Sequence, residues 1–252
     1  MKIFTQLSEW NEFRLGFDET SLGFVPTMGA LHSGHISLVQ RCLAENEVSA
    51  VSIYLNPTQF DKASDLATYP RQTGRDLAML DEQGVDSVFM PQYAELYPDD
   101  FRYRVSESEF SHKLCGAHRP GHFDGMLTVV LKLLQIIRPQ RAYFGEKDFQ
   151  QLQLVRGMVQ AFFLPVEIVG CPIVREEDGL ALSSRNRHLD TDQRRRASDL
   201  FRILSGSTNS EQAKAQLKQR GFLVDYVEEL CGRRMAAARL GSTRLIDNVP
   251  LN

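Results

Sequence analysis

Phe24-Val25-Pro26-Thr27-Met28-Gly29-Ala30-Leu31-His32-Ser33-Gly34-His35 is the stretch whose reading decides the fold. A short apolar run turns through Gly29 and enters a helix carrying two histidines, the pattern of a strand feeding a helix N-terminus. Such an N-terminus offers backbone N–H groups and the positive end of the helix dipole, and so favours phosphate. His32 and His35 are three apart, which sets them on one face of the first turn. Gly34 between them removes the side chain that would hold a large anion away. Two imidazoles then point at one anion. An exposed pair without function is the plain alternative. A zinc pair is the other, although helical metal pairs usually sit four apart with a carboxylate between them, and neither feature is present.

Working outward, residues 5–15 read as a short surface helix, 22–25 as the first core strand and 36–44 as the continuation of the histidine helix. Residues 48–55, rich in β-branched and apolar types, form the next strand and stop at Asn56-Pro57, where proline cannot continue a central ladder. A loop with Thr58, Gln59 and Phe60 follows. Residues 72–83 have helical periodicity, Gly84 ends them, and 87–90 read as a strand. This β-α-β alternation predicts a parallel sheet with right-handed crossovers and ligands at the strands' carboxyl ends. The histidine loop and residues 56–59 both occupy such ends.

Residues 91–122 look irregular, with a short strand near 102–105, and their length suggests a functional loop. A helix over 125–137, a strand over 141–144 and a helix over 149–162 repeat the strand-turn-helix pattern through Gly145-Glu146-Lys147-Asp148. Asp148 and Gln151 have the spacing of a helix cap and its partner. Lys147 is either a point charge for phosphate or a solvated surface lysine. After a strand at 166–169 and Ile173-Val174, a charged turn leads to Leu182-Ser183-Ser184-Arg185-Asn186. Those donors suit a triphosphate, and an ordinary helix-start loop is an equal reading. The remainder reads as an arginine-rich helix over 190–204, a linker over 205–210, a helix over 211–220 and strands over 223–230 and 243–248. The domain boundary is placed near Val174, giving domains 1–174 and 175–252.

At 252 residues, 42% hydrophobic and 24% charged, the chain has the composition of a globular protein and not of a disordered one. A net charge of −3 supplies no basic field for nucleic acid, which points to small-molecule partners. The arginines at 194–196 read more simply as a solvated helix face than as an RNA contact. Cys42, Cys115, Cys171 and Cys231 are widely spaced without a C-x-x-C pair, as expected of reduced cytoplasmic thiols. The start lacks a signal-peptide core, and the longest apolar stretch, 126–137, contains Lys132 and is too short for a bilayer. No membrane association is expected.

Several blocks in order carry a resemblance. They are residues 26–35, Asn56-Pro57-Thr58-Gln59-Phe60, Tyr69-Pro70-Arg71, Arg119-Pro120-Gly121-His122-Phe123, residues 145–151, residues 178–186 and Arg244-Leu245-Ile246-Asp247-Asn248. Together they resemble the pantothenate synthetase (pantoate–β-alanine ligase) family of the H-x-G-H nucleotidyltransferases. The resemblance implies an α/β fold, a Rossmann-like parallel sheet flanked by helices with a small α+β C-terminal lid domain, in a cytoplasmic homodimer. It implies condensation of (R)-pantoate with β-alanine at the expense of ATP and with Mg2+, through a pantoyl-adenylate, releasing AMP and pyrophosphate. On this resemblance the catalytic residues would be His35, as proton donor, His32 and Lys147. ATP would meet Met28, Gly29, Ala30, Leu31, His32, Ser33, Gly34, His35, Gly145, Glu146, Lys147, Asp148, Val174, Leu182, Ser183, Ser184 and Arg185. Gln59, Gln151 and Asn56 would bind pantoate and β-alanine.

The chain departs from the family pattern in having Leu182 for methionine and Phe149 for tyrosine, and it is somewhat short around 231–238. Only Asp76 follows Tyr69-Pro70-Arg71, so no magnesium ligand is assigned. The nearest rival function is another adenylyltransferase of the same superfamily, which would favour basic groups where Gln59 and Gln151 stand.

Overall fold

Short apolar runs become strands of one parallel sheet because each is followed by a segment that carries the chain back across the sheet face. A computed structural model describes residues 1–16 and 21–251. The chain enters through β1 (Lys2–Phe4) and α1 (Leu7–Leu15), then runs through β2 (Leu22–Thr27), α2 (Ser33–Glu45) and β3 (Val48–Ile53). Helices α3 (Ala63–Thr68) and α4 (Thr73–Glu82) lead to β4 (Ser87–Phe89). Short helices α5 (Tyr93–Leu96) and α6 (Cys115–His118) precede the long α7 (His122–Ile137), and β5 (Arg141–Gly145), α8 (Phe149–Ala161) and β6 (Glu167–Cys171) complete this part.

The strands pair in the order β1-β4-β3-β2-β5-β6, all parallel. Chain order reverses between β2 and β5, a topological switch point of the sheet. Phe24, Val25, Ala50, Val51, Val88 and Tyr143 are buried in the sheet.

The rest of the chain builds three helices, α9 (Thr191–Ala197), α10 (Asp199–Gly206) and α11 (Ser210–Gln219), and an antiparallel sheet of β7 (Leu223–Leu230), β8 (Arg233–Leu240) and β9 (Thr243–Pro250). Leu200, Leu204, Leu217, Phe222, Ala236 and Leu245 form its separate core. Contacts divide the chain into two compact units, residues 1–145 with 150–171, and residues 146–149 with 172–252. The α/β class, with a parallel sheet and a small α+β portion at the C-terminal end, is as the sequence predicts.

Five local expectations need correction. β1, not the strand beginning at Leu22, is the first; its three residues carry no alternation and are specified by pairing with β4. Residues 102–105 form no strand: Tyr103 N–H donates to Asp99 Oδ2 at 2.9 Å and Val105 N–H to Thr128 Oγ1 at 2.9 Å, so side chains take the place of a ladder. The helix foreseen over 190–204 is broken between α9 and α10 at Ser198, whose hydroxyl turns back to the Arg195 carbonyl. α7 begins three residues early, behind Gly121 in a left-handed conformation (φ 76°). Finally, β8 is the central strand of its sheet although its alanine run lacks β propensity. It joins β7 through Cys231 and Gly232, both at positive φ (53° and 72°), the backbone of a two-residue type I′ hairpin turn.

Candidate active site

β2 ends in a loop with two consecutive left-handed residues, Gly29 (φ 78°) and Ala30 (φ 53°). A side chain on Gly29 would press on Asp76 Oδ2 at 3.0 Å and on Ile53 at 3.1 Å, so the position requires glycine. Asp76, from the first turn of α4 and 1% exposed, accepts from the Ala30 and Leu31 amides at 2.8 Å each and clamps this turn. The sequence assigned Asp76 no role, as a metal ligand or otherwise, and its clamp depends on burial that spacing does not encode.

His32 is not inside α2 but caps it in extended conformation, and His35 is the third helical residue. Gly34 N–H donates to His32 Nδ1 at 3.1 Å and His32 N–H to His35 Nδ1 at 3.3 Å, a capping box built from imidazoles. With Nδ1 accepting in both rings, each neutral imidazole carries its proton on Nε2 and donates from there. The ring centroids lie 4.1 Å apart. The amides of Gly29, Ala30, Leu31, His32 and Gly34 all have side-chain acceptors, so the backbone here is less open than the sequence suggested.

After β3, Asn56 and Gln59 are buried around a single helical turn, Pro57–Gln59. Asn56 Nδ2 donates to Gln59 Oε1 at 3.0 Å and to the Gly125 carbonyl at 3.1 Å. Asn56 Oδ1 receives the hydroxyls of Tyr97 at 2.9 Å and Thr58 at 3.0 Å. Gln59 Nε2 lies 3.2 Å from Met28 Sδ. α7 seats this turn: Gly125 brings its backbone so close that a Cβ there would overlap the Thr58 carbonyl. The His122 ring, buried, holds the Gln59 carbonyl at 2.8 Å through Nδ1, while Arg119 reaches its Nε2 at 2.9 Å and pairs with Asp61 at 3.0 Å. Beside the turn lies a cavity of about 400 Å³ lined by Met28, Gly29, Tyr54, Arg71, Asp76 and Tyr93, among others. The Tyr54 hydroxyl is buried without a partner, and burial raises its pKa. Gln151 is half-buried near the start of α8, whereas Gln150 is spent on Cys115 N–H and the Phe110 and Lys113 carbonyls.

The remaining candidates, apart from Gly145 at the end of β5, belong to the second unit. Asn248 Nδ2 donates to the Glu146 and Lys147 carbonyls at 2.9 and 3.1 Å, and Arg233 reaches Glu146 at 3.3 Å, so β8 and β9 hold the Glu146–Asp148 turn. Lys147 Nζ is 3.7 Å from Asp148 Oδ2. Ser183 caps the short helix Ser184–His188 by accepting from Arg185 N–H at 3.3 Å, and Leu182 N–H donates to the Val174 carbonyl at 3.0 Å. Arg175 makes a paired contact with buried Asp247 at 2.6 and 2.9 Å. The arginines at 194–196 are engaged: Arg194 with Glu176 and Asp178, Arg195 and Arg196 with Asp192.

Magnesium finds no ready ligand set. Among the described residues no group of three His, Cys, Asp or Glu side chains could hold a metal, and Asp76 is committed to two amides. No described helix is long and apolar enough to cross a membrane.

Comparison with known proteins gives one answer. A family model described as pantoate-beta-alanine ligase matches residues 2–250. Pantothenate synthetase of Bdellovibrio bacteriovorus is 52% identical over 231 residues, 92% of either chain. That of Coxiella burnetii is 48% identical over 249 residues, 99% of this chain and 96% of its own. Among solved structures, pantoate-beta-alanine ligase of Francisella tularensis, complexed with beta-gamma ATP and beta-alanine, superimposes with a TM-score of 0.94 at 41% identity, covering 99% of this chain and 97% of its own. Pantothenate synthetase of Thermus thermophilus gives 0.91 at 41% identity, covering 99% of each. Family model, relatives and fold thus agree along nearly the whole length, and the chain belongs to the pantoate-beta-alanine ligase family.

Proposed function

We propose that this ligase joins pantoate to β-alanine in two steps on ATP. A pantoate carboxylate oxygen attacks the α-phosphorus and the bond to pyrophosphate breaks. The β-alanine amine then attacks the acyl carbon of the pantoyl-adenylate, loses a proton, and AMP leaves with the former carboxylate oxygen. No covalent bond to the protein is required, so the protein positions reactants and stabilises charge.

The observation that carries this reading is the imidazole capping box, which fixes both rings with Nε2–H as the donating atom at the carboxyl end of β2. His32 and His35 donate hydrogen bonds to phosphate oxygens as charge accumulates on departing pyrophosphate, and in the proton-donor role that the family resemblance gives it His35 acts as the imidazolium. Met28 through His35, Gly145 through Asp148, Val174 and Leu182 through Arg185 contact ATP, Lys147 at phosphate oxygens and Asp148 at ribose hydroxyls. Gln59 and Gln151 hold pantoate, because neutral amides bind an acid without repelling it. Magnesium enters with the nucleotide, held by phosphate oxygens and water. Three buried reduced cysteines suit a cytoplasmic enzyme. The family resemblance supports a homodimer, and residues 175–252 act as the lid.

Pantoate labelled with 18O in its carboxylate tests the route. One label should appear in AMP, and AMP should form only when both pantoate and β-alanine are present. AMP without label would exclude the adenylate.

A further inference from the structure

We infer that Asn56, oriented by Tyr97, locks Gln59 as a hydrogen-bond donor toward the acid, so that Asn56 and Tyr97 are positioning residues and not substrate contacts. The inference rests on the reading that Gln59 meets the acid.

The direction of each amide follows from one group whose role is fixed. The Gly125 carbonyl can only accept, so the Asn56 atom 3.1 Å from it is the nitrogen. The same nitrogen donates to Gln59, which assigns the nearer Gln59 atom as Oε1 and turns it toward Asn56. Asn56 Oδ1 is closed on its other side by the Tyr97 and Thr58 hydroxyls, themselves 3.2 Å apart. Burial pushes the Tyr97 phenol up to about 12, so it stays an O–H at any working pH. Asn56 is 1% exposed with both amide atoms occupied, leaving it no group for a ligand.

The Gln59 NH2 is thereby turned the other way, against Met28 Sδ, a weak acceptor on the cavity wall. A ligand there must bring an acceptor oxygen, as a carboxylate or hydroxyl does.

Calorimetric titration of pantoate, with ATP titrated as control and thermal melting alongside, tests this on the intact chain. Tyr97→Phe removes one hydroxyl and should weaken pantoate about fivefold, the worth of one neutral hydrogen bond. Asn56→Asp removes the donor to Gln59, which should turn its NH2 inward and present Oε1 to the acid; pantoate should weaken at least about tenfold. ATP affinity should stay within about twofold in both. The steady-state counterpart is a raised KM for pantoate with a smaller change in kcat. Pantoate binding unchanged in both variants, or pantoate and ATP weakening together, would overturn the positioning role. Gln59→Ala separates the two levels: loss of pantoate there with wild-type binding in the other variants sinks only the positioning role. Full pantoate affinity in Gln59→Ala removes the acid from Gln59, and the purpose of that positioning with it.

Discussion

At the scale of single residues, the histidine pair spends one nitrogen of each ring on holding its own turn. His35→Ala and His32→Ala should each lower kcat about a hundredfold, the usual cost of one transition-state donor, as steady-state AMP release will measure. His32→Ala should also loosen α2, since Gly34 N–H loses its acceptor. Asp76 offers a second test. Its carboxylate answers two buried amides next to strained backbone, so Asp76→Ala should cost about 3 kcal/mol in urea unfolding and depress kcat as the loop relaxes. An unchanged unfolding midpoint would show that the clamp does not hold the turn.

At the scale of elements, α7 fixes two neighbouring segments through His122, Gly125 and Lys132, which recur at helical spacing. His122 and Gly125 hold the turn after β3, and Lys132 holds the Leu96 carbonyl and Asp99. Gly125→Ala would favour an isolated helix, but here the added methyl meets the Thr58 backbone. The expected outcome is a raised KM for pantoate, read from initial rates, together with a lower melting temperature. Much of this architecture was legible in sequence because strands β2, β3, β5 and β7 announce themselves by composition and their helices by periodicity. What escaped depends on partners distant in the chain. β1 needs β4, β8 needs β7 and β9 on its flanks, and the backbone of 102–105 finds side chains in place of another strand. The site was legible as residue types, whereas the Asp76 clamp, the seat on Gly125 and the histidine capping box arise from burial and hydrogen bonding that spacing does not encode.

At the scale of the whole molecule, each of the two units has its own core, and both add shielded ion pairs to apolar burial. Arg175→Ala strands the Asp247 carboxylate and should destabilise the second unit by about 3 kcal/mol in denaturant titration. Acid should act on the same unit. The Arg194 guanidinium beside Asp178 holds its carboxyl below the usual range. Burial opposes ionisation of Asp225, yet Arg244 and Arg239 hold it low as well. A carboxyl lowered on folding contributes stability above its unfolded pKa, about 4, and loses it as pH falls through the folded value. Melting temperature should therefore drop as pH falls below about 4, and Asp178→Asn should make that acid limb shallower.

The hairpin tip between β7 and β8 has a practical consequence. Cys231 stands exposed there while Cys42, Cys115 and Cys171 are buried, and burial pushes the Cys42 thiol up to about 12. Access of a thiol reagent is thereby confined to one position. A maleimide fluorophore should couple once per chain, turning an oddly chosen turn residue into a built-in attachment point for an optical reporter on the second unit.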